Sequence, residues 1–231
     1  MAEYRVYPLT YGWIERDKGR FTFRKDDGKR VLLPIMGYYL TNGIHRIVID
    51  TGGFEPDGLR LAPYHRAADE TPEGQLAKIG VEADSIDTVI LTHLHWDHSC
   101  NNESFQNARF YVQAKEMAFA LDPPPEQKNI YFPEIFLKTR YELVDGDIDL
   151  FEDLKLILTP GHSLGSQSVV VSDAKGPIAI VGDTLPLQEN WNSRPRIPCG
   201  SHASLELACD SIEKIAGYTD RILTGHEWLR E

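Results

Sequence analysis

Three imidazoles and a carboxylate fall within six residues, His93-Leu94-His95-Trp96-Asp97-His98, one residue after the apolar pair Ile90-Leu91. The whole chain holds only 8 histidines in 231 residues, so composition alone does not produce such a cluster. Imidazole and carboxylate are good ligands for divalent cations. His93 and His95, two apart in an extended segment, project to the same side and can converge on one ion, while Asp97 and His98 turn toward a neighbouring position. Two ions are implied, and neither pair completes a four-ligand shell. Three further candidates stand in loops: His162 in Thr159-Pro160-Gly161-His162, Asp183 in Val181-Gly182-Asp183, and His226 in Thr224-Gly225-His226. A glycine precedes each, allowing a sharp turn that aims the next side chain back over a sheet edge.

Those side chains need strands that end beneath them. Apolar and β-branched runs predict strands at 32–40, 46–49, 88–91, 110–112, 154–158, 168–171, 178–181 and 221–223, and each of the three loop candidates follows one of these. Asn42-Gly43 predicts a tight hairpin and Asp145-Gly146 a second one. Helices are predicted over 204–216, over 71–79 with Thr71 as cap and Pro72 at the first position, and over 114–121, ahead of three consecutive prolines. No repeat or linker divides residues 1–231, which read as one domain. Strands interspersed with helices and hairpins predict an α+β fold: two mixed β-sheets with helices outside.

Composition narrows the partners. Asp plus Glu outnumber Lys plus Arg by 35 to 24, a formal net charge of -11, which argues against a nucleic-acid or anionic-membrane partner. Three unevenly spaced cysteines, Cys100, Cys199 and Cys209, make no disulfide framework and suggest a reducing cytoplasm. The first residues show no basic flank leading into an apolar stretch, and the run at 31–40 is too short to span a membrane.

In order and spacing these residues resemble the metallo-β-lactamase superfamily, whose pattern is His-x-His-x-Asp-His, then a distant His, an Asp and a final His. Ile49-Asp50-Thr51-Gly52 is similar to the early Asp motif of that family. The resemblance implies an αββα sandwich with the site at one edge of the two sheets. It implies that His93, His95 and His162 hold one metal, that Asp97, His98 and His226 hold the other, that Asp183 bridges them, and that Asp50 orients the site. Zinc is the first choice of ion, with Fe, Mn or Co suiting the same donors. Two such ions would share a bridging hydroxide able to attack a small-molecule carbonyl substrate, with Asp97 passing the proton to the leaving group.

Within the family the chain is most similar to the N-acyl homoserine lactonase group. Flavodiiron proteins carry Glu where His95 stands, and the commonest β-lactamase branch carries Cys where Asp183 stands. The implied activity is the opening of a small lactone. A thioesterase or cyclic-amide hydrolase on the same metals is the alternative, and a non-catalytic metal- or ligand-binding protein comes last. Pro186 occupies the position at which those lactonases place a Tyr, so the implied class is cyclic esters in general rather than acyl homoserine lactones in particular.

Other residues read as bystanders or as rim. His45 belongs to a hairpin edge, while His65 and His202 sit in loops that can roof the site. Cys100 and Trp96 are expected to pack as core. The segment 122–136, with Tyr131, Phe132 and Phe136, reads as a lid, a homodimer contact or a buried helix flank, and Arg194 or Arg196 would recognise a substrate carboxylate if turned inward.

Overall fold

Alternation along the strands separates two apolar cores. Ile47 and Ile49 face one core and Val48 the other; Ile178 and Ile180 divide from Ala179 and Val181 in the same way. A computed structural model describes residues 3–54 and 63–227. It begins with β1 (Arg5–Asp17), β2 (Arg30–Thr41), β3 (Arg46–Ile49), β4 (Tyr64–His65), α1 (Pro72–Lys78), β5 (Thr88–Ile90), α2 (Trp96–Ser99), β6 (Arg109–Gln113) and α3 (Ala114–Leu121). There follow α4 (Pro133–Phe136), β7 (Tyr141–Val144), β8 (Ile148–Phe151), β9 (Leu154–Leu158), β10 (Gln167–Asp173), β11 (Gly176–Gly182), α5 (Gln188–Asn192), α6 (Leu205–Ala216) and β12 (Ile222–Thr224).

One sheet has seven strands in the order β4-β1-β2-β3-β5-β6-β7, the other five in the order β12-β11-β10-β9-β8. Both are mixed: β3, β5, β6 and β7 run parallel to one another, as do β11 and β12, and the remaining pairs are antiparallel. Met36, Tyr38, Leu40, Ile47, Ile49 and Ile90 of the first sheet meet Leu154, Leu156, Val169, Val171, Ile180 and Leu223 of the second in the central core. Outside the second sheet, Ile212 and Ile215 of α6 and Trp191 of α5 cover Ile157, Ala179 and Val181. Outside the first, Leu76 of α1 and Ala120 of α3 cover Val48, Val89 and Val112. The layers are helix, sheet, sheet, helix, the αββα sandwich that the family resemblance implies.

The three longer helices stand where the sequence predicts them. Thr71 caps α1 through Gly74 N, and Ser204 caps α6 through Leu207 N. The predicted hairpin at Asn42-Gly43 joins β2 to β3. The one at Asp145-Gly146 does not form: β7 pairs with β6 in the first sheet, β8 with β9 in the second, and the turn carries the chain between sheets. Its position is fixed by the buried Gln113, whose amide accepts from Gly146 N at 3.0 Å and donates to Gly146 O at 2.9 Å.

Candidate metal centre

Four chain segments converge at one edge of the sandwich. After β5 the chain runs extended through His93 and His95, then closes the single helical turn α2, which carries Asp97 and His98. The loop between β9 and β10 brings His162, the end of β11 brings Asp183, and the segment after β12 brings His226. The preceding glycines serve different ends. Gly182 has φ +49° and admits no Cβ, which would lie 2.6 Å from Thr92 Oγ1. Gly225 has no such conformation; it is there for space, since a Cβ would run into Asp183 Oδ1.

All seven predicted side chains are brought together, each 9% exposed or less. Their ligand atoms group as His93, His95 and His162; as His93, His98 and Asp183; and as Asp97, His98 and His226, with the atoms in each group within 4.8 Å of one another. His93 Nε2 and His162 Nε2 both lie 2.9 Å from His95 Nδ1. The Asp183 carboxylate spans the two halves, Oδ2 3.5 Å from His162 Nε2 and Oδ1 3.2 Å from His226 Nε2 and 3.5 Å from His98 Nε2. Asp97 Oδ2 is 3.7 Å from His226 Nε2.

The far nitrogen of four rings is already engaged. His98 Nδ1–H donates to Asp50 Oδ2 at 2.7 Å, His162 Nδ1–H to the Ser201 carbonyl at 2.7 Å, and His226 Nδ1–H to the Pro34 carbonyl at 2.9 Å. Thr92 donates its N–H and hydroxyl to Asp50 at 2.7 and 2.8 Å, so its Oγ1 accepts from His93 Nδ1–H at 3.1 Å. In these four rings Nε2 is the nitrogen aimed inward. His98 Nε2, His226 Nε2 and Asp183 Oδ1 are buried without a hydrogen bond. Buried polar atoms rarely go unsatisfied, and here the orphans are metal ligands by type and converge by position. The residues fit two divalent ions.

The two halves differ electrically. Burial, reinforced by neighbouring imidazoles, holds His93 and His95 well below the usual imidazole range, and burial also lowers His162. These rings are neutral near pH 7, the form that ligates. On the other side burial opposes charge on His98 and His226 but is outweighed by Asp183 and the nearby Asp50 or Asp97, and both rise. Asp183 in turn falls well below the usual carboxylate range, burial being outweighed by His226 and His98. Asp50 holds a left-handed backbone, φ +59°, rare outside glycine and a mark of functional strain.

The rim differs from expectation. Arg196 lies over Trp191 at 3.8 Å and Arg194 donates to the Trp191 and Ser193 carbonyls, so neither lines the cavity. Arg16, Arg20, Phe21 and Ile130 line it instead, with Ile14, Trp96, Cys199 and Ser201. Nothing in the spacing marked Arg16 or Arg20. His65, on β4, pairs with Trp13 of β1, and His202 packs against Phe23, both outside the cavity lining. His45 stacks on Phe151. Cys100 is buried in the core, as is Trp96, which also edges the cavity. Tyr131, Phe132 and Phe136 are buried, as the core-flank reading of 122–136 expects.

The family model of the metallo-beta-lactamase superfamily matches residues 32–226. The chain is 28% identical over 248 residues to an N-acyl homoserine lactonase of Bacillus thuringiensis, covering 100% of this chain and 96% of that one. It is 36% identical over 154 residues to a probable metallo-hydrolase of Methanocaldococcus jannaschii, covering 67% of this chain and 63% of that one. Among solved structures, an N-acyl homoserine lactone hydrolase with the product N-hexanoyl-L-homoserine bound at its catalytic metal centre superposes with TM-score 0.84 at 26% identity, covering 98% and 94% of the two chains. Since one family model runs through every segment that supplies the metal centre, the chain belongs to the metallo-beta-lactamase superfamily.

Proposed function

We propose that the protein is a dinuclear metal-dependent hydrolase that opens a small lactone. The observation that carries this is the convergence of three orphaned buried ligand atoms, on His98, His226 and Asp183, beside a triad of neutral imidazoles. Similarity over the full length to a lactonase supports the choice of substrate class. His93, His95 and His162 would hold one ion, Asp97, His98 and His226 the other, with Asp183 between them; zinc is the first choice. Bound there, two divalent cations supply Lewis acidity toward the ester carbonyl and lower the pKa of an attacking water.

The rest falls to the chain's own groups. Thr92, Asp50 and the Ser201 and Pro34 carbonyls hold the imidazoles in one tautomer and orientation, so little reorganisation accompanies the reaction. Asp97, in the cavity wall, is placed to accept the proton of the attacking water and return it to the ring oxygen as the acyl carbon–oxygen bond breaks. Ile14, Phe21, Trp96 and Ile130 keep bulk water away. The cavity measures ≈ 50 Å³. No tyrosine lines it among the described residues, and Pro186 serves through its backbone, its carbonyl accepting from His226 N at 3.0 Å. The three cysteines are free, in keeping with a cytoplasmic location. No helix among the described residues is long and apolar enough to cross a membrane.

Proton release in a pH-stat for lactones and thioesters, and chromatographic detection of the ring-opened product for cyclic amides, whose new amine takes up the proton, test the reading. Metal-loaded protein is expected to turn over simple γ- and δ-lactones. Turnover of a thioester or a cyclic amide but no lactone would replace it with the alternative hydrolase, and none on any of the three would leave a binding protein.

A further inference from the structure

One buried carboxylate behind the metal centre has no part in the chemistry above. Glu116, in the first turn of α3, is fully buried, and its oxygens meet donors from three separate segments. Oε1 accepts from Leu94 N at 2.9 Å and from the Tyr131 hydroxyl at 3.2 Å, and Oε2 accepts from the Ser163 hydroxyl. The Gly165 backbone hydrogen-bonds to the carboxylate as well, and it approaches so closely that a Cβ on Gly165 would run into the Glu116 backbone. Burial pushes the Glu116 carboxyl up in pKa, and the bonds from Ser163, Leu94 and Tyr131 oppose that shift. A carboxylate suits the place because it only accepts, and the groups around it donate.

Three of those donors adjoin ligands of one half of the centre. Leu94 lies between His93 and His95, Ser163 follows His162, and the Tyr131 ring packs on His95 with centroids 4.5 Å apart. His93 and His162 are also held through Nδ1, but His95 turns its Nδ1 inward, 2.9 Å from both of their Nε2 atoms. Its orientation therefore depends on the backbone before it and on Tyr131, and both end on Glu116. The other half uses different supports, Asp50 behind His98 and the Pro34 carbonyl behind His226.

We propose that Glu116 is a positioning residue that locks the His95 and His162 segments together and so sets the ion affinity of the three-histidine half alone. This rests on the two-ion reading above and goes beyond it by giving the two halves separate supports.

Zinc titration of metal-stripped protein against a chromophoric chelator tests this without any turnover. A His226→Ala background keeps the three-histidine half intact, and a His162→Ala background keeps the other. Glu116→Gln preserves size but removes the charge and one acceptor. It is expected to raise the zinc Kd about 10–100-fold in the first background and to leave it within about threefold in the second. Equal losses in both backgrounds, or none in either, would overturn the positioning role while the metal centre stands. No zinc binding by the wild type would overturn the two-ion reading itself, and the proposal with it. If Glu116→Gln loses its far-UV circular dichroism, Ser163→Ala replaces it, removing one donor to the carboxylate. Its Kd is expected to rise several-fold in the His226→Ala background only, and the same response in both backgrounds would overturn the proposal.

Discussion

The floor and the mouth of the cavity obey different rules. In the floor, four of the seven ligands are held by a second group: Asp50 reaches His98 and, through Thr92, His93, and backbone carbonyls fix His162 and His226. At the mouth, Arg16, Arg20, Phe21 and Ile130 come from a strand end and short helical turns. On the proposed reading the floor is intolerant of change, while the mouth, built from short turns, can vary and sets substrate preference.

The sharpest way to break this division is Asp183→Ala. It removes the carboxylate shared by both halves and is expected to reduce hydrolysis by about a thousandfold or more. Activity within tenfold of wild type would show that the floor is not the reaction centre.

Asp50→Asn keeps a residue tolerant of left-handed backbone but removes the charge behind His98 and Thr92. It is expected to weaken metal affinity or activity by about 10–100-fold, read by metal titration with a chromophoric chelator. Gly182→Ala forces a side chain into φ +49° against Thr92 and is expected to cost about 1–3 kcal/mol, or about 2–4 °C of Tm for each kcal/mol. The smallest effect belongs to Arg196→Ala. Its guanidinium covers Trp191 rather than the cavity, so kcat/KM should hold while stability falls by about 0.5–1 kcal/mol. A change in substrate preference there would move the boundary of the mouth outward.

The same division governs what the sequence made legible. Ligand chemistry requires particular residue types at particular spacings, and strands that end at a site carry strong apolar runs, so His93 to His98, His162, Asp183 and His226 were readable together with the strands beneath them. Short or solvent-facing elements carry weaker patterns. Tyr141–Val144 and Ile148–Phe151 are four-residue strands with half their side chains outward, and the turn between them mimics a hairpin although it joins two sheets. The mouth was misread for a related reason. Arg194 and Arg196 are near Asp183 in sequence, yet α5 turns them onto Trp191, whereas Arg16 and Arg20 reach the cavity from far away along the chain. Proximity in sequence predicts contact only where no element intervenes.

Metal stoichiometry tests the central claim most directly. Protein stripped with a chelator, reloaded with zinc and freed of excess ion should retain about two ions per chain by elemental analysis, and Asp183→Ala should retain fewer at unchanged far-UV circular dichroism. Retention of no ion by the wild type, or the same two by the variant, would contradict a dinuclear floor bridged by Asp183.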